Sequence, residues 1–255
     1  ITSSSAGTRR TWSGLGTTSI TDGTITDQGG TVTAYSSTNV SNNAWTILST
    51  CPNQRVWDGG GSDNNWNTAA NWSGDVVPVS TDTARFNGTS VKNATINVNP
   101  NVKRIEINSG YTGIITQGAG VVVTTGTGGF SQAAGTFTGG NAKIEVTYGT
   151  FSLSGGTFTS TSDTLIIDKI TLSGGTFTHN SGKISKVGGS ATLNTGTAVL
   201  NHLVINTGGD VTISGTLDVN GNLNLIRYNT LNTGTIAASG NVTTTALNVS
   251  SQNAT

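Results

Sequence analysis

Charge is scarce in this sequence: 12 Lys and Arg and 12 Asp and Glu make up 9% of its 255 residues and cancel. Such a chain has no field to draw in phosphate backbones or anionic lipid, so nucleic acid is not an expected partner. Cysteine occurs once, at Cys51. No internal disulfide can form, and no Cys/His grouping with zinc spacing surrounds it, which leaves a small buried hydrophobe or an intermolecular disulfide. Proline is scarce too, at 3 residues, so the 36 glycines do not reach the combined share that marks disordered low-complexity chains. No apolar run approaches the roughly 20 residues of a membrane helix, and no membrane span is expected. No signal peptide opens the chain at Ile1, so an exported protein would be represented by a processed form or a fragment.

What is present is turn-forming glycine between short β-branched runs such as Val121-Val122-Val123 and Leu165-Ile166-Ile167. These runs suit pleated, half-buried strands, and the glycines suit tight corners. Thr, Ser and Asn must solvate the surface, a habit of exported bacterial proteins.

Three textures divide the chain. Residues 1–52 alternate loosely, as in Ser19-Ile20-Thr21 and Thr31-Val32-Thr33, and read as short strands. Their strongest apolar cluster, Trp45, Ile47 and Leu48, is a candidate assembly strand or the last strand of a cap. Residues 53–92 hold Trp57, Trp66 and Trp72 close together in polar sequence. Each indole removes about 150–250 Å² from water when buried, so the three predict a looped mini-core with Phe86. Asp58, Asp63, Asp75 and Asp82 fall in the same stretch and are the chain's only calcium candidates, although their spacing matches no EF-hand or RTX loop. Asx-turns are the competing explanation.

Residues 93–255 repeat. Gly135-Thr136-Phe137-Thr138 returns as Gly156-Thr157-Phe158-Thr159 and Gly175-Thr176-Phe177-Thr178, and the last two share a preceding Leu-Ser-Gly. The phenylalanines lie 21 and 19 residues apart, too short for a helical repeat and suited to one coil of a parallel β-helix. The spacing predicts that Phe137, Phe158 and Phe177 form one internal column. About eight rungs are expected.

The stretch from Trp57 to Phe86 resembles the tryptophan-rich motif of bacterial surface proteins with autotransporter-type, filamentous-haemagglutinin-like repeats, in which W-x-G-G, N-W-S-x-G, a proline and D-T-A-x-F follow in order. Trp57, Trp66, Asn71, Trp72, Pro78, Asp82 and Phe86 occupy those places. The resemblance covers about 200 residues. It implies an extracellular or cell-surface protein with an all-β fold, a right-handed parallel β-helix.

Some β-helices are polysaccharide-degrading enzymes, which need paired carboxylates about 5–10 Å apart. The acids to consider are Glu106, Glu145, Asp163, Asp168, Asp210 and Asp218. Only Asp163 and Asp168 are close in sequence, and they bracket a strand whose ends they would solvate. His179 and His202 could approach each other on one face, but neither has an evident acidic or nucleophilic companion, and His179-Asn180-Ser181-Gly182 reads as a corner. The expectation is a non-enzymatic structural protein with no cofactor, self-associating into a homopolymer as the repeating subunit of a surface fibre, filament or sheath. An adhesin or glycan-binding passenger, recognising a glycan or host surface, is the alternative, and a polysaccharide-degrading enzyme the third.

Overall fold

A computed structural model describes residues 53–228, 236–238 and 241–252, together with the short strands that lie within residues 1–52. The chain divides into two units, Ile1–Arg55 and Val56–Thr255. The strands of the first unit pair in parallel. Ile20–Thr21, Thr33–Tyr35 and Thr46–Leu48 form one sheet, with Ile20 opposite Ala34 and Ala34 opposite Ile47. Ile47 and Leu48 therefore sit in a paired strand. Trp45 and Cys51 lie outside the described residues.

The second unit is an all-β solenoid of about seven turns, its parallel strands stacked in register. Five three- or four-residue strands, Ala94–Ile96, Ile114–Gln117, Thr136–Thr138, Thr157–Thr159 and Thr176–Thr178, make a short face. Longer strands, among them Val123–Gln132, Ile144–Leu153 and Thr164–Leu172, bend midway, so that each supplies both remaining sides of a turn, here called the first and second arms. The coil takes in Thr83–Phe86, which pairs with Arg104–Ile107, ahead of residue 93 where the sequence repeat becomes visible.

Strict alternation decides which residues enter. In Thr136-Phe137-Thr138 the central side chain points inward because successive Cβ atoms leave opposite sides of the strand, and parallel pairing puts Phe137 opposite Phe158 and Phe158 opposite Phe177. The rings stack at 5.0 Å and 5.8 Å between centroids, with interplanar angles of 11° and 14°. A second stack, Phe130 on Phe151 at 5.1 Å and 7°, meets the first edge-on, Phe151 lying 4.7 Å from Phe158. One inward column of the first arm is aliphatic throughout, Val123, Ile144, Leu165, Ile184, Leu203 and Leu223 following one another in register and all buried.

The corners explain the glycine. Gly135, Gly156 and Gly175 all have positive φ (63°, 74° and 73°), and a Cβ on Gly156 would lie 2.4 Å from the carbonyl oxygen of Gly135 one turn away. Any side chain there meets both left-handed strain and the backbone of its neighbour. This corner keeps one length through the three phenylalanine copies, with five residues from Gln132 to Phe137, from Leu153 to Phe158 and from Leu172 to Phe177, and is longer one turn earlier, where Ile115 lies eight residues after Ile107. The bend between the arms is elastic by comparison, with Ile170 five residues after Leu165 and Leu193 nine after Ile184. The change from 21 to 19 residues between the phenylalanine copies arises there, since Phe151 lies seven residues after Ile144 and Ile170 five after Leu165.

Phe158 is fully buried between two stacked neighbours, whereas Phe177 is only partly covered. Phe158→Ala is expected to cost about 3–5 kcal/mol in denaturant unfolding, and Phe177→Ala distinctly less. Equal losses would show that the stack does not carry the energy its burial implies.

Candidate functional site

The tryptophan-rich stretch builds the first turn's interior. Trp57, Trp66, Trp72 and Phe86 are all buried; Trp57 and Trp66 meet Trp72 edge-on at 5.1 Å and 4.6 Å, and Phe86 joins all three and Tyr111. The polar edges of Trp57, Trp72 and Tyr111 are satisfied. Trp57 Nε1 donates to the Lys92 carbonyl and Trp72 Nε1 to the Trp66 carbonyl, and the Tyr111 hydroxyl also donates to Lys92. Burial raises the Tyr111 phenol above its ordinary range. The indoles form core, so they offer no exposed platform for a sugar ring.

The four aspartates of this stretch are not gathered. Among the described residues no group of three or more His, Cys, Asp or Glu could hold a metal ion. Asp58 caps its own turn through the Gly60 amide, and Asp82 accepts from the Val79 amide. Asp63 is a hub, accepting from the Asn65 amide, the Thr68 hydroxyl and the Asn71 side-chain amide. Those bonds, the Asn65 amide first, hold its carboxyl below the usual carboxylate value. Asp75 takes a left-handed turn position at φ 52°.

A cation does occupy this loop, and it belongs to the protein. The Lys92 ammonium donates to the carbonyls of Gly59 (3.1 Å) and Gly61 (2.5 Å) and to Asn71 Oδ1 (3.2 Å). Convergent oxygens of this kind would suit a hard metal ion, but a tethered ammonium with three donors satisfies them. Sequence patterning gave no sign of this role for Lys92, because its neighbours suggest only a loop.

Three further acids are engaged separately. Glu106 pairs with Arg85 at 2.8 Å and Arg104 at 3.3 Å, and Asp163 accepts from the Thr164 hydroxyl. Asp168 pairs with Lys186 at 3.2 Å. Lys186 itself stands in an inward column of the first arm, between Ile167 and Ile205, and is fully buried. Its ammonium also donates to the carbonyls of Val187 and Gly189. Burial lowers its pKa, against the opposing pull of Asp168. The histidines are held apart: His202 lies in register with Lys183, while His179 Nδ1 accepts from the Ser181 amide in the corner turn.

Where the short face breaks, a groove opens. Thr176–Thr178 pairs with Thr157–Thr159 on one side, but the next strand, Val199–Leu200, pairs onward with Asp218–Val219 instead. The gap holds about 540 Å³, lined by Leu172, Phe177 and Ala198 with hydroxyls of Ser173, Thr195 and Thr197 beside them. A second cleft of about 510 Å³ lies at the level of Lys169 and Asp210. The first combines one partly exposed ring with hydroxyl groups and an open strand edge, chemistry suited to noncovalent binding. No carboxylate is among its lining residues. Among the described residues, no helix is long and apolar enough to cross a membrane.

Two substitutions test the polar interior. Removing Asp168 strands a buried ammonium, so Asp168→Ala is expected to lose on the order of 3 kcal/mol in stability. A lysine whose folded pKa lies below its unfolded 10.5 takes up a proton on unfolding, so its contribution improves as pH rises between those two values. Over that alkaline interval the wild type should gain stability relative to Lys186→Met in thermal melts at a series of pH values; parallel curves would refute the assignment. For the first turn, Lys92→Ala should lower Tm, while a calcium chelator should leave the wild-type Tm unchanged.

Comparison of the chain with protein-family models, with curated protein sequences and with solved structures finds no match.

Proposed function

We propose that this chain is a non-enzymatic structural protein of the bacterial surface or extracellular space, serving as a repeating subunit of a fibre, filament or sheath. The observation that carries this reading is the core. It continues through about seven turns with an aliphatic or aromatic side chain at nearly every inward position, while the outward positions of the short face carry Thr in turn after turn. Such a rod invests its sequence in rigidity and repetition. A solenoid also presents parallel strand edges at its ends, which favour pairing with further strands. The resemblance of the tryptophan-rich stretch to that of surface proteins is what supports the proposed location.

An adhesive or glycan-binding role is the second reading, and the groove beside Phe177 is what favours it. The engagement of Glu106 and Asp168 by cations of the chain itself weighs against a hydrolytic pair in which one carboxyl must be free to give up a proton.

Negative-stain electron microscopy of the purified full chain, over rising concentration, tests the assembly. Filaments or end-to-end oligomers are expected, and deletion of residues 1–50 should abolish them while the β-signal and cooperative melt of the remainder persist. Full-length protein that stays monomeric at high concentration would overturn the reading. Assembly that survives the deletion would remove residues 1–50, with Trp45, Ile47 and Leu48, from the contact.

A further inference from the structure

The outward side of the short face carries a two-dimensional array of threonine. Thr95, Thr116, Thr138, Thr159 and Thr178 follow one another in register through five consecutive turns. Beside them Thr136, Thr157 and Thr176 make a parallel column that continues into Ile114. The two columns are separated by the inward residues Ile115, Phe137, Phe158 and Phe177. We propose that this face binds an ordered water lattice, the surface of ice.

Three features of the face support that occupant. The first is spacing. Adjacent turns repeat at about 4.8 Å, and side chains two apart on one strand repeat at roughly 6.6 Å. Both distances lie close to lattice repeats of hexagonal ice, so one registration satisfies every threonine at once. The second is rigidity. Threonine is restricted at χ1, each pair of columns flanks a stacked aromatic ring, and parallel strands give every copy the same backbone, so the hydroxyls are positioned before the ligand arrives. The third is composition. The array offers hydroxyl and methyl groups and no charge, and its hydroxyls make no hydrogen bond to any described residue. They remain free for water, unlike the interior hydroxyl of Thr161, which donates to the Ala142 carbonyl.

A crystalline polysaccharide is the competing lattice. Sugar rings are held chiefly by stacking on aromatic faces, and no aromatic side chain stands at an outward position of these five strands; Phe137, Phe158 and Phe177 all point inward. Methyl and hydroxyl groups in regular rows favour water. This role goes beyond the structural reading and is independent of whether the chain polymerises.

Ice grown slowly from a dilute solution of the full chain tests the proposal, with protein in the crystal measured against protein left in the liquid and recrystallisation followed by microscopy. The full chain is expected to enter the ice and to slow grain growth. Thr159→Lys and Thr157→Lys, which place a solvated ammonium within the array, should each lose both effects. Thr212→Lys, on an exposed position of the second arm, should keep them. Circular dichroism melts identify the variants that fold, and those alone are compared. Exclusion of the folded full chain from ice overturns the proposal, as does equal behaviour of the lysine variants on the two faces. Retention on crystalline cellulose or chitin with exclusion from ice overturns it in favour of the polysaccharide.

Discussion

The structure depends on parallel strands pairing in register, one turn upon the next. Once the backbone ladder fixes which residue lies above which, every side chain is placed over its counterpart from the preceding turn, and a favourable choice at one level is repeated at all of them. Phenylalanine over phenylalanine gives a ring stack, aliphatic over aliphatic a dry column, and glycine over glycine a corner close enough for backbone to meet backbone. The outward rows inherit the same order from the same pairing. A slip of one residue would turn Phe137 outward and Thr138 inward, so the register is held by the full difference between a buried ring and a buried hydroxyl.

The interior tolerates polarity where the ladder is interrupted. Gln117, buried near a corner, donates to the carbonyls of Val121 and Ala142 and accepts from the Gly140 amide. Thr161 donates to Ala142 from the opposite side. Corner carbonyls that no neighbouring strand reaches are thus satisfied by side chains, as buried backbone groups must be. Lys92 and Lys186 extend the solution to charge, each ammonium held among carbonyl oxygens and, in one case, a carboxylate.

Much of the fold was legible in the sequence because repetition survives casual reading. The Ser-Gly-Gly-Thr-Phe-Thr copies announce both the period and the inward residue, and the tryptophans announce burial by size alone. Phe130 and Phe151 were not read as a pair, although they lie 21 residues apart in unbroken register, because Gly126-Thr127-Gly128-Gly129 before one ring has little likeness to Thr147-Tyr148-Gly149-Thr150 before the other. Lys186 escaped for another reason. Alternation assigns an apolar residue to its column, and a lysine there looks like a solvated strand end until Asp168 and the two carbonyls are seen around it. Asp163 and Asp168, read together because they are close in sequence, in fact serve different partners. The threonines of Thr-Phe-Thr were visible throughout, yet only the pairing shows that Thr95 and Thr116 continue their row.

The contrast between the two kinds of corner bears on how such a chain can diverge. At the stacked glycines a replacement must be accommodated by the turn before and the turn after, so change at one copy is felt at three levels and drift is slow. The bend between the arms also brings backbone against backbone, at Gly129 and Gly149, yet it has accepted segments of different length in successive turns. Variation in a lineage of such solenoids should therefore collect along one edge of the rod, leaving a conserved spine opposite a margin on which new loops can be grafted without disturbing the coil.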